Sequence, residues 1–308
     1  MDWVETFKSW AKPPSDTEET KASNAASMIN DAIRATGVLS GRQFSVYPTG
    51  SYRNNTNVRM NSDVDIAVVC EGALWYDLPP GVTAVQVGLV GTASYGLTEF
   101  RSDLRRALEA KFNSATKPGK ITFNIEGNSY RLPADVTPFL LHRKYTGRRK
   151  LDGSWEYLEG VETRPTDDAN RRVVNWHKHH YDNGVAKNTE TNRRFKRVTR
   201  ILKKLRDHMA GNGIPEAKCA ASVVPSFLIE CLVYNAPTHC FNRQDGSYFE
   251  DVKAVVQHLW NATVDDARAA VLVEVNAQKA LVGAHQRWTR AQAHEFLLRA
   301  WQHVGFKA

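Results

Sequence analysis

The sequence has 308 residues, of which 42% are hydrophobic and 24% are charged, and a formal net charge of +8. This composition excludes a disordered chain, and no apolar run approaches the roughly 20 residues that span a bilayer. The positive charge is compatible with polyanionic ligands, but equally with simple solubility. The four scattered cysteines form no CxxC pair and the polar N-terminus lacks a signal-peptide pattern, which predicts a cytoplasmic protein without a zinc module or disulfide scaffold.

The first half of the chain predicts a small mixed sheet with helices packed on it. A capped helix at 15–37, which ends at Gly37, opens this half. The further predicted elements are a strand at 42–48, a turn at 50–57, a strand at 62–70, a loop at 71–96, a helix at 97–112, and strands at 120–127 and 130–141.

The second half predicts only helices. Apolar residues recur with helical spacing over 167–183, 191–209, 220–235, 248–260 and 291–304. The fold class is therefore α+β, with one mixed lobe, residues 1–164, which includes the N-terminal helix, and one helical lobe, residues 165–308.

The most informative feature is a pair of aspartates at the start of an apolar strand. Asp63 and Asp65 project to the same face because strand side chains alternate, while Val64 and Ile66 face the core. Two carboxylates this close repel each other unless a cation neutralises them, and Mg²⁺ prefers such oxygen ligands. Taken alone, the pair fits solvated acids at a strand edge equally well.

A third acid and a glycine turn complete the pattern. Asp135 stands among apolar residues of another predicted strand, where three carboxylates from two strands would suit a two-metal site for phosphoryl or nucleotidyl transfer. Gly50 and Ser51 form a turn before the aspartate pair, and its backbone amides can hold an anion. A Gly-Ser turn alone is a weak signal, but its spacing from the aspartates is specific.

This combination resembles the DNA polymerase β-type nucleotidyltransferase superfamily. The stretches 50–69, 188–208 and 223–235 resemble more closely the bacterial cGAS/DncV-like nucleotidyltransferases (CD-NTases), relatives of cyclic GMP-AMP synthase and oligoadenylate synthase. The resemblance covers about residues 15–300. It implies a polymerase β-like lobe and a C-terminal helical lobe with the active site in the cleft between them.

The resemblance also implies roles for individual residues. Asp63, Asp65 and Asp135 would bind two Mg²⁺ ions, with Mn²⁺ as a substitute, and Gly50 and Ser51 would hold the triphosphate. Two further residues would contact the nucleotide, namely Lys203 and Ser222. Val223 follows Ser222 where related synthases often carry a base-stacking aromatic residue.

A basic helix at 193–206 carries Lys196, Arg200 and Lys203 on one stripe, since these positions are four and three residues apart. Such a stripe can neutralise a triphosphate or follow a nucleic-acid backbone, but it can also be a solvated helix face. Three histidines at 177–180 lack the cysteine or acid partners of a zinc site.

The predicted function is synthesis of a cyclic di- or trinucleotide second messenger from nucleoside triphosphates, ATP being one expected substrate. The resemblance further implies a role in antiphage defence through a separate effector protein, without a nucleic-acid substrate or a membrane. Three alternatives stay open: a template-independent RNA polymerase, a catalytically silent nucleic-acid-binding module, and a transferase that modifies an antibiotic or a protein. The bases, ring size and linkage are not encoded in a recognisable pattern.

Overall fold

The computed structural model describes residues 1–58, 63–91, 93–244 and 246–307. The helices are α1 Trp3–Trp10, α2 Asp16–Thr36, α3 Gly50–Arg53, α4 Leu97–Phe112, α5 His177–Glu190, α6 Arg194–Asn212, α7 Pro215–Ser222, α8 Ser226–Asn235, α9 Phe249–Ala262, α10 Asp266–Ala269 and α11 Arg290–Val304. The strands are β1 Phe44–Pro48, β2 Val64–Asp77, β3 Thr116–Pro118, β4 Phe123–Ile125, β5 Ala134–Arg149, β6 Trp155–Thr163 and β7 Val173–Asn175.

The chain forms two compact units. The helical unit comprises Met1–Pro14, Asn54–Val58 and Lys178–Ala308, and the α/β unit comprises Ser15–Arg53 and Arg59–His177. These ranges differ from the predicted lobes, 1–164 and 165–308, because the first 14 residues and the short segment 54–58 pack with the helices.

The α/β unit is built on a mixed sheet with the strand order β1-β2-β5-β4-β3, and β6 and β7 continue from β5. Strands β2 and β5 are parallel neighbours at its centre, whereas β1 and β4 pair antiparallel with them. One face is covered by α2 and α4, which bury Ile29, Ile33, Leu104 and Leu108 against the apolar residues of β2 and β5. The predicted mixed sheet with helices is confirmed.

Local signals set the helix bounds of this unit. The Ser15 hydroxyl accepts a hydrogen bond from the Glu18 amide at the start of α2, and Gly37 ends the helix with a φ of 64°. Helix α4 covers the predicted residues 97–112.

Three predictions for this part of the chain are wrong. Strand β2 continues to Asp77 where a loop was expected, because after an irregularity at Cys70 it pairs again with β5. Strand β5 continues beyond residue 141 to pair with the unpredicted β6, and β7 stands where the pattern at 167–183 predicted the start of a helix. Ser62, the first residue of the predicted strand 62–70, lies outside the described residues.

The helical unit has its own core. Helices α6, α8, α9 and α11 contribute its buried aliphatic and aromatic side chains, and α1 adds Phe7, which has no exposed surface. Arg200 of α6 donates from Nε and Nη2 to the Ala11 carbonyl at the end of α1, which secures the N-terminal segment. Among the described residues no single helix is long and apolar enough to cross a bilayer, and only the bent pair α7 and α8 passes such a test together.

A buried ionic cluster joins strands β5 and β6 to Arg172, the residue before β7. Glu162 of β6 and His142 of β5 have no exposed surface, and Glu162 Oε2 lies 2.9 Å from both His142 Nδ1 and Arg172 Nη2. Burial alone would raise the pKa of Glu162, but the hydrogen bonds from His142 and Arg172 outweigh it and lower the pKa to about 2.

We expect this cluster to contribute acid-sensitive stability. A carboxylate with a pKa lowered from 4.5 to about 2 stabilises the fold above pH 4.5, and this contribution is lost as the pH falls towards 2. Glu162→Gln should therefore lower the free energy of unfolding at pH 7 by about 3 kcal/mol, a difference that shrinks below pH 4.5. Urea denaturation between pH 3 and 7 measures it, with Glu159→Gln on the exposed part of the same strand as the control. A difference that does not change with pH would contradict the assignment.

Candidate active site

The sheet register brings two of the three predicted carboxylates side by side. Asp65 of β2 is the direct partner of Asp135 in the parallel pair β2/β5, between the buried pairs Val64–Ala134 and Ile66–Val136. Neighbouring strands lie about 4.8 Å apart, so both aspartates emerge on one face of the sheet. Asp63 comes immediately before β2 and is exposed to solvent. The register thus places Asp135 beside Asp65, whereas the shared face of Asp63 and Asp65 stays a prediction because Asp63 precedes the strand.

These carboxylates carry more negative charge than their surroundings neutralise. The pKa of Asp65 is raised to about 6, mainly because the surrounding protein removes water from the carboxylate. The negative charges of Asp135 and Asp63 raise it further. The pKa of Asp135 is also raised by burial and by Asp63, although a hydrogen bond from Asn124 opposes the shift. Asp65 keeps an exposed surface, so a ligand can reach it. An accessible, crowded carboxylate pair favours a bound cation.

Asn124 is a site residue that the sequence did not reveal. It lies on β4 directly opposite Asp135 in the antiparallel pair β4/β5, and its Nδ2 donates a hydrogen bond to Asp135 Oδ1. This contact orients the Asp135 carboxylate. The available signal was a polar residue between the buried Phe123 and Ile125, which places Asn124 on the opposite face of the strand.

The glycine of the Gly-Ser turn packs directly against the Asp65 side chain. The Thr49 amide donates to the Asp65 carbonyl over 2.7 Å, which places the next residue beside the carboxylate. Gly50 has a φ of 61°, and a Cβ atom added there would lie 2.1 Å from Asp65 Oδ2. Glycine is required at this position for its conformation and for the close approach.

Gly50→Ala should therefore disturb the site more than the fold. The added methyl group must push the Asp65 carboxylate away, so we expect the catalytic rate to fall by about 100-fold with a loss of stability of about 1–2 kcal/mol. Steady-state kinetics and thermal unfolding measure the two effects. Gly41→Ala is a matched control, because Gly41 has a φ of 75° but no atom within 4 Å of an added Cβ. Equal activity losses in both variants would contradict the steric explanation.

The donor chemistry of this site fits Mg²⁺. The ion prefers carboxylate oxygens and usually retains waters or substrate phosphates, so two or three aspartates are an adequate protein contribution. Within the ranges that the structure describes, no three histidine, cysteine, aspartate or glutamate side chains converge closely enough to hold a metal ion by themselves. Asp65 and Asp135 would thus form the protein side of the site with Asp63 next to them.

Lys203 lies in a buried ionic network of the helical unit. Its Nζ atom is 2.8 Å from Glu230 Oε2 and 3.1 Å from both the carbonyl and hydroxyl oxygens of Thr56. His180 Nε2 lies 2.9 Å from the other Glu230 oxygen. Burial would raise the pKa of Glu230, but the Lys203 charge and His180 hold it well below its usual range. The network fastens segment 54–58 to α6 and α8.

The rest of the predicted basic stripe is not an open surface. Arg200 is 4% exposed and donates to the carbonyls of Ala11 and Asn55, whereas Lys196 is half-buried. Burial lowers the pKa of both side chains. The solvated helix face, which the sequence left open as an alternative, is therefore excluded for Arg200 and Lys203, which link chain segments in this unit.

Ser222 is exposed at the end of α7, and its hydroxyl donates to the Cys219 carbonyl over 2.8 Å. Val223 after it is 41% exposed. The nucleotide contact of Ser222 stays a prediction, as does that of Lys203. In the histidine cluster at 177–180, His180 Nε2 is engaged with Glu230, and the Tyr47 hydroxyl oxygen lies 3.4 Å from His177 Nδ1.

Comparison with known proteins places these features in a family. The profile of the cGAS/DncV-like nucleotidyltransferase C-terminal helical domain matches residues 182–305. The chain is 40% identical to the cyclic dipyrimidine nucleotide synthase CdnE of Legionella pneumophila, over 99% of this chain and 98% of the relative. It is 34% identical to the synthase of the same name from Cecembia lonarensis, over 97% of both chains.

A solved structure agrees over the same length. The structure of the Rhodothermus marinus CdnE c-UMP-AMP synthase with Apcpp and Upnpp matches with a TM-score of 0.81 at 29% identity, and the match covers 99% of this chain and 98% of that chain. The chain therefore belongs to the cGAS/DncV-like nucleotidyltransferases. It is a nucleotidyltransferase that synthesises a cyclic oligonucleotide second messenger, as the resemblance implied.

Proposed function

We propose that the product is a cyclic dinucleotide built from pyrimidine nucleoside triphosphates. The observation that carries the chemistry is the Asp65–Asp135 pair, with Gly50 in contact with one of its carboxylates. The choice of pyrimidines is supported by the dipyrimidine synthases, which are 40% and 34% identical to this chain over nearly its whole length. The expectation that ATP is one substrate is kept as the competing outcome of the test.

In this proposal Asp63, Asp65 and Asp135 would hold two Mg²⁺ ions, for which Mn²⁺ could substitute. Bound Mg²⁺ would neutralise phosphate charge and make the attacking hydroxyl more acidic. Asn124 keeps the Asp135 carboxylate turned towards the attacking ribose hydroxyl, whose proton Asp135 accepts or directs. Gly50 and Ser51 orient the triphosphate so that its α-phosphate lies in line with that hydroxyl.

The reaction then has a simple balance. The ribose hydroxyl oxygen of one nucleotide attacks the α-phosphate of the other, the bond to the β-phosphate breaks, and pyrophosphate leaves. A second transfer within the linear intermediate closes the ring.

We extend the proposal to contacts of Lys203 and Ser222 with the nucleotide. The enzyme would act in the cytoplasm, and its product would activate a separate effector protein in antiphage defence.

Product analysis tests the proposed substrates. We expect α-labelled UTP or CTP with Mg²⁺ to give a phosphatase-resistant species with the mass of a cyclic dinucleotide, and omission of both pyrimidines to abolish it. Thin-layer chromatography and mass spectrometry measure ring size and base content. A ring that contains adenine, or one that forms from ATP and GTP alone, would contradict the pyrimidine assignment, and a linear ladder would contradict cyclisation.

A further inference from the structure

The α/β unit contains a large cleft whose lining does not include the three aspartates. It has a volume of about 930 Å³ and is lined by the first half of α4, the turn between β3 and β4, Trp75 near the end of β2, and residues 164–169 after β6. A cleft of this size can take a molecule as large as a nucleotide.

The lining is strongly cationic. Four of its side chains carry positive charge, namely Arg101, Arg105, Lys120 and Arg164. The acid in the lining is Glu99, and it accepts a hydrogen bond from the Gly96 amide over 3.0 Å, where it caps α4. Three of these cations already have a carboxylate partner, since Arg105 Nε lies 2.7 Å from Glu109, Arg164 Nη2 lies 3.3 Å from Glu162, and Lys120 pairs with Asp167. The positive charge that a ligand can use is therefore centred on Arg101.

Arg101 carries a charge that its surroundings do not neutralise. Its guanidinium donates to the carbonyls of Ile121 and Gly119, and in the described part of the chain no carboxylate pairs with it. Burial lowers its pKa, and the like charge of Arg105 adds to this effect. An anion placed beside Arg101 would remove this electrostatic cost.

Two of the arginines lie over aromatic rings. The Arg164 guanidinium is 4.4 Å from the centre of the Trp75 ring, and that of Arg101 is 4.6 Å from the centre of Phe123. Arg164 donates from Nη1 to the Ala169 carbonyl and from Nη2 to Glu162, whereas its Nε is buried and has no hydrogen-bond partner among the described residues. Flat cations on aromatic faces, with an unused donor, suit a planar ligand that also carries negative charge.

Lys120 and the hydroxyl groups of the lining are also available to a ligand. Lys120 pairs with Asp167 over 2.5 Å, but both side chains are exposed, so the ion pair is weak and a ligand anion can replace the carboxylate. The Thr166 amide donates to the Lys120 carbonyl over 2.9 Å, which holds the 164–169 segment beside the turn. Thr98 and Ser102 add hydroxyl donors from α4.

We propose that this cleft is a binding site for a planar aromatic anion of nucleotide size, separate from the catalytic aspartates. Its ring system packs near Trp75 and Arg164, and its phosphate or carboxylate group lies beside Arg101 and Arg105. The proposal does not depend on the bases of the cyclic product.

Flavin mononucleotide is a suitable probe, because it is planar, fluorescent and phosphorylated but lacks the triphosphate that nucleotidyl transfer requires. Its fluorescence should be quenched when it binds the full-length protein. We expect Arg164→Gln and Arg105→Gln each to raise the Kd at least about tenfold, and uncharged riboflavin to bind at least about tenfold more weakly. Arg148→Gln, an exposed arginine of the same unit that does not line the cleft, should leave the Kd within about twofold.

Two results would overturn the proposal. One is the absence of binding at millimolar flavin mononucleotide to the folded protein. The other is binding that neither arginine variant weakens, because the probe would then occupy another site. Displacement of the probe by a non-hydrolysable UTP analogue, with normal binding by both variants, would lead to the same conclusion. Because Arg105 is half exposed, its variant remains informative if Arg164→Gln does not fold.

Discussion

Asp65→Asn is expected to lower the initial rate of nucleotidyl transfer by about 10³-fold, equivalent to about 4 kcal/mol of transition-state stabilisation. The substitution keeps the size of the side chain but removes the negative charge that would hold Mg²⁺. The melting temperature without metal should stay equal or rise, because the fold crowds this charge and raises the pKa of Asp65 to about 6. Pyrophosphate release and thermal unfolding measure the two quantities.

Glu71→Gln is a matched control for this experiment. Glu71 is an exposed carboxylate on the same strand, β2, and its removal should leave the rate within about twofold and the melting temperature almost unchanged. If Asp65→Asn retains near-normal activity while folded, Asp65 is not a metal ligand. If it loses activity only because it unfolds, the residue is structural.

Lys203→Met is expected to lower the free energy of unfolding by about 3–5 kcal/mol, because it leaves the buried Glu230 without its cation. Methionine preserves most of the side-chain volume, so the loss reports on charge and not on a cavity. Denaturant unfolding measures it. Lys218→Met, an exposed lysine on α7, should change the unfolding free energy by less than about 0.5 kcal/mol.

The double variant Lys203→Met/Glu230→Gln separates structure from nucleotide binding. Removing both charges should recover much of the stability, so the two losses are not additive. If Lys203 also contacts the triphosphate as proposed, this folded double variant should still show a raised KM for nucleoside triphosphates. A normal KM would limit Lys203 to fastening segment 54–58, and additive losses would contradict the pairing with Glu230.

The sequence predicted those parts of the fold that local residues determine. Helix α4 and the caps of α2 follow from spacing and from Ser15 and Gly37, which act within one turn of the chain. The continuation of β2 to Asp77 and the pairing of β5 with β6 depend on partners far apart in sequence. Residue patterns over short windows do not carry that information.

The candidate site shows the same division. The two-residue period of a strand places Asp65 on the side opposite Val64 and Ile66, whereas the contact of Gly50 with Asp65 needs the packing of a turn against a strand. The burial of Lys203 was missed because its partner Glu230 is 27 residues away on another helix. A lysine on a charged helix stripe is usually solvated, and only the tertiary structure reveals the exception.

A crystal structure with Mg²⁺ and a non-hydrolysable UTP analogue would locate the cation and the triphosphate together. We expect Mg²⁺ about 2.1 Å from carboxylate oxygens of Asp65 and Asp135, with the triphosphate next to Gly50 and Ser51. A cation held elsewhere, or a nucleotide bound away from β2 and β5, would contradict the assignment of the active site.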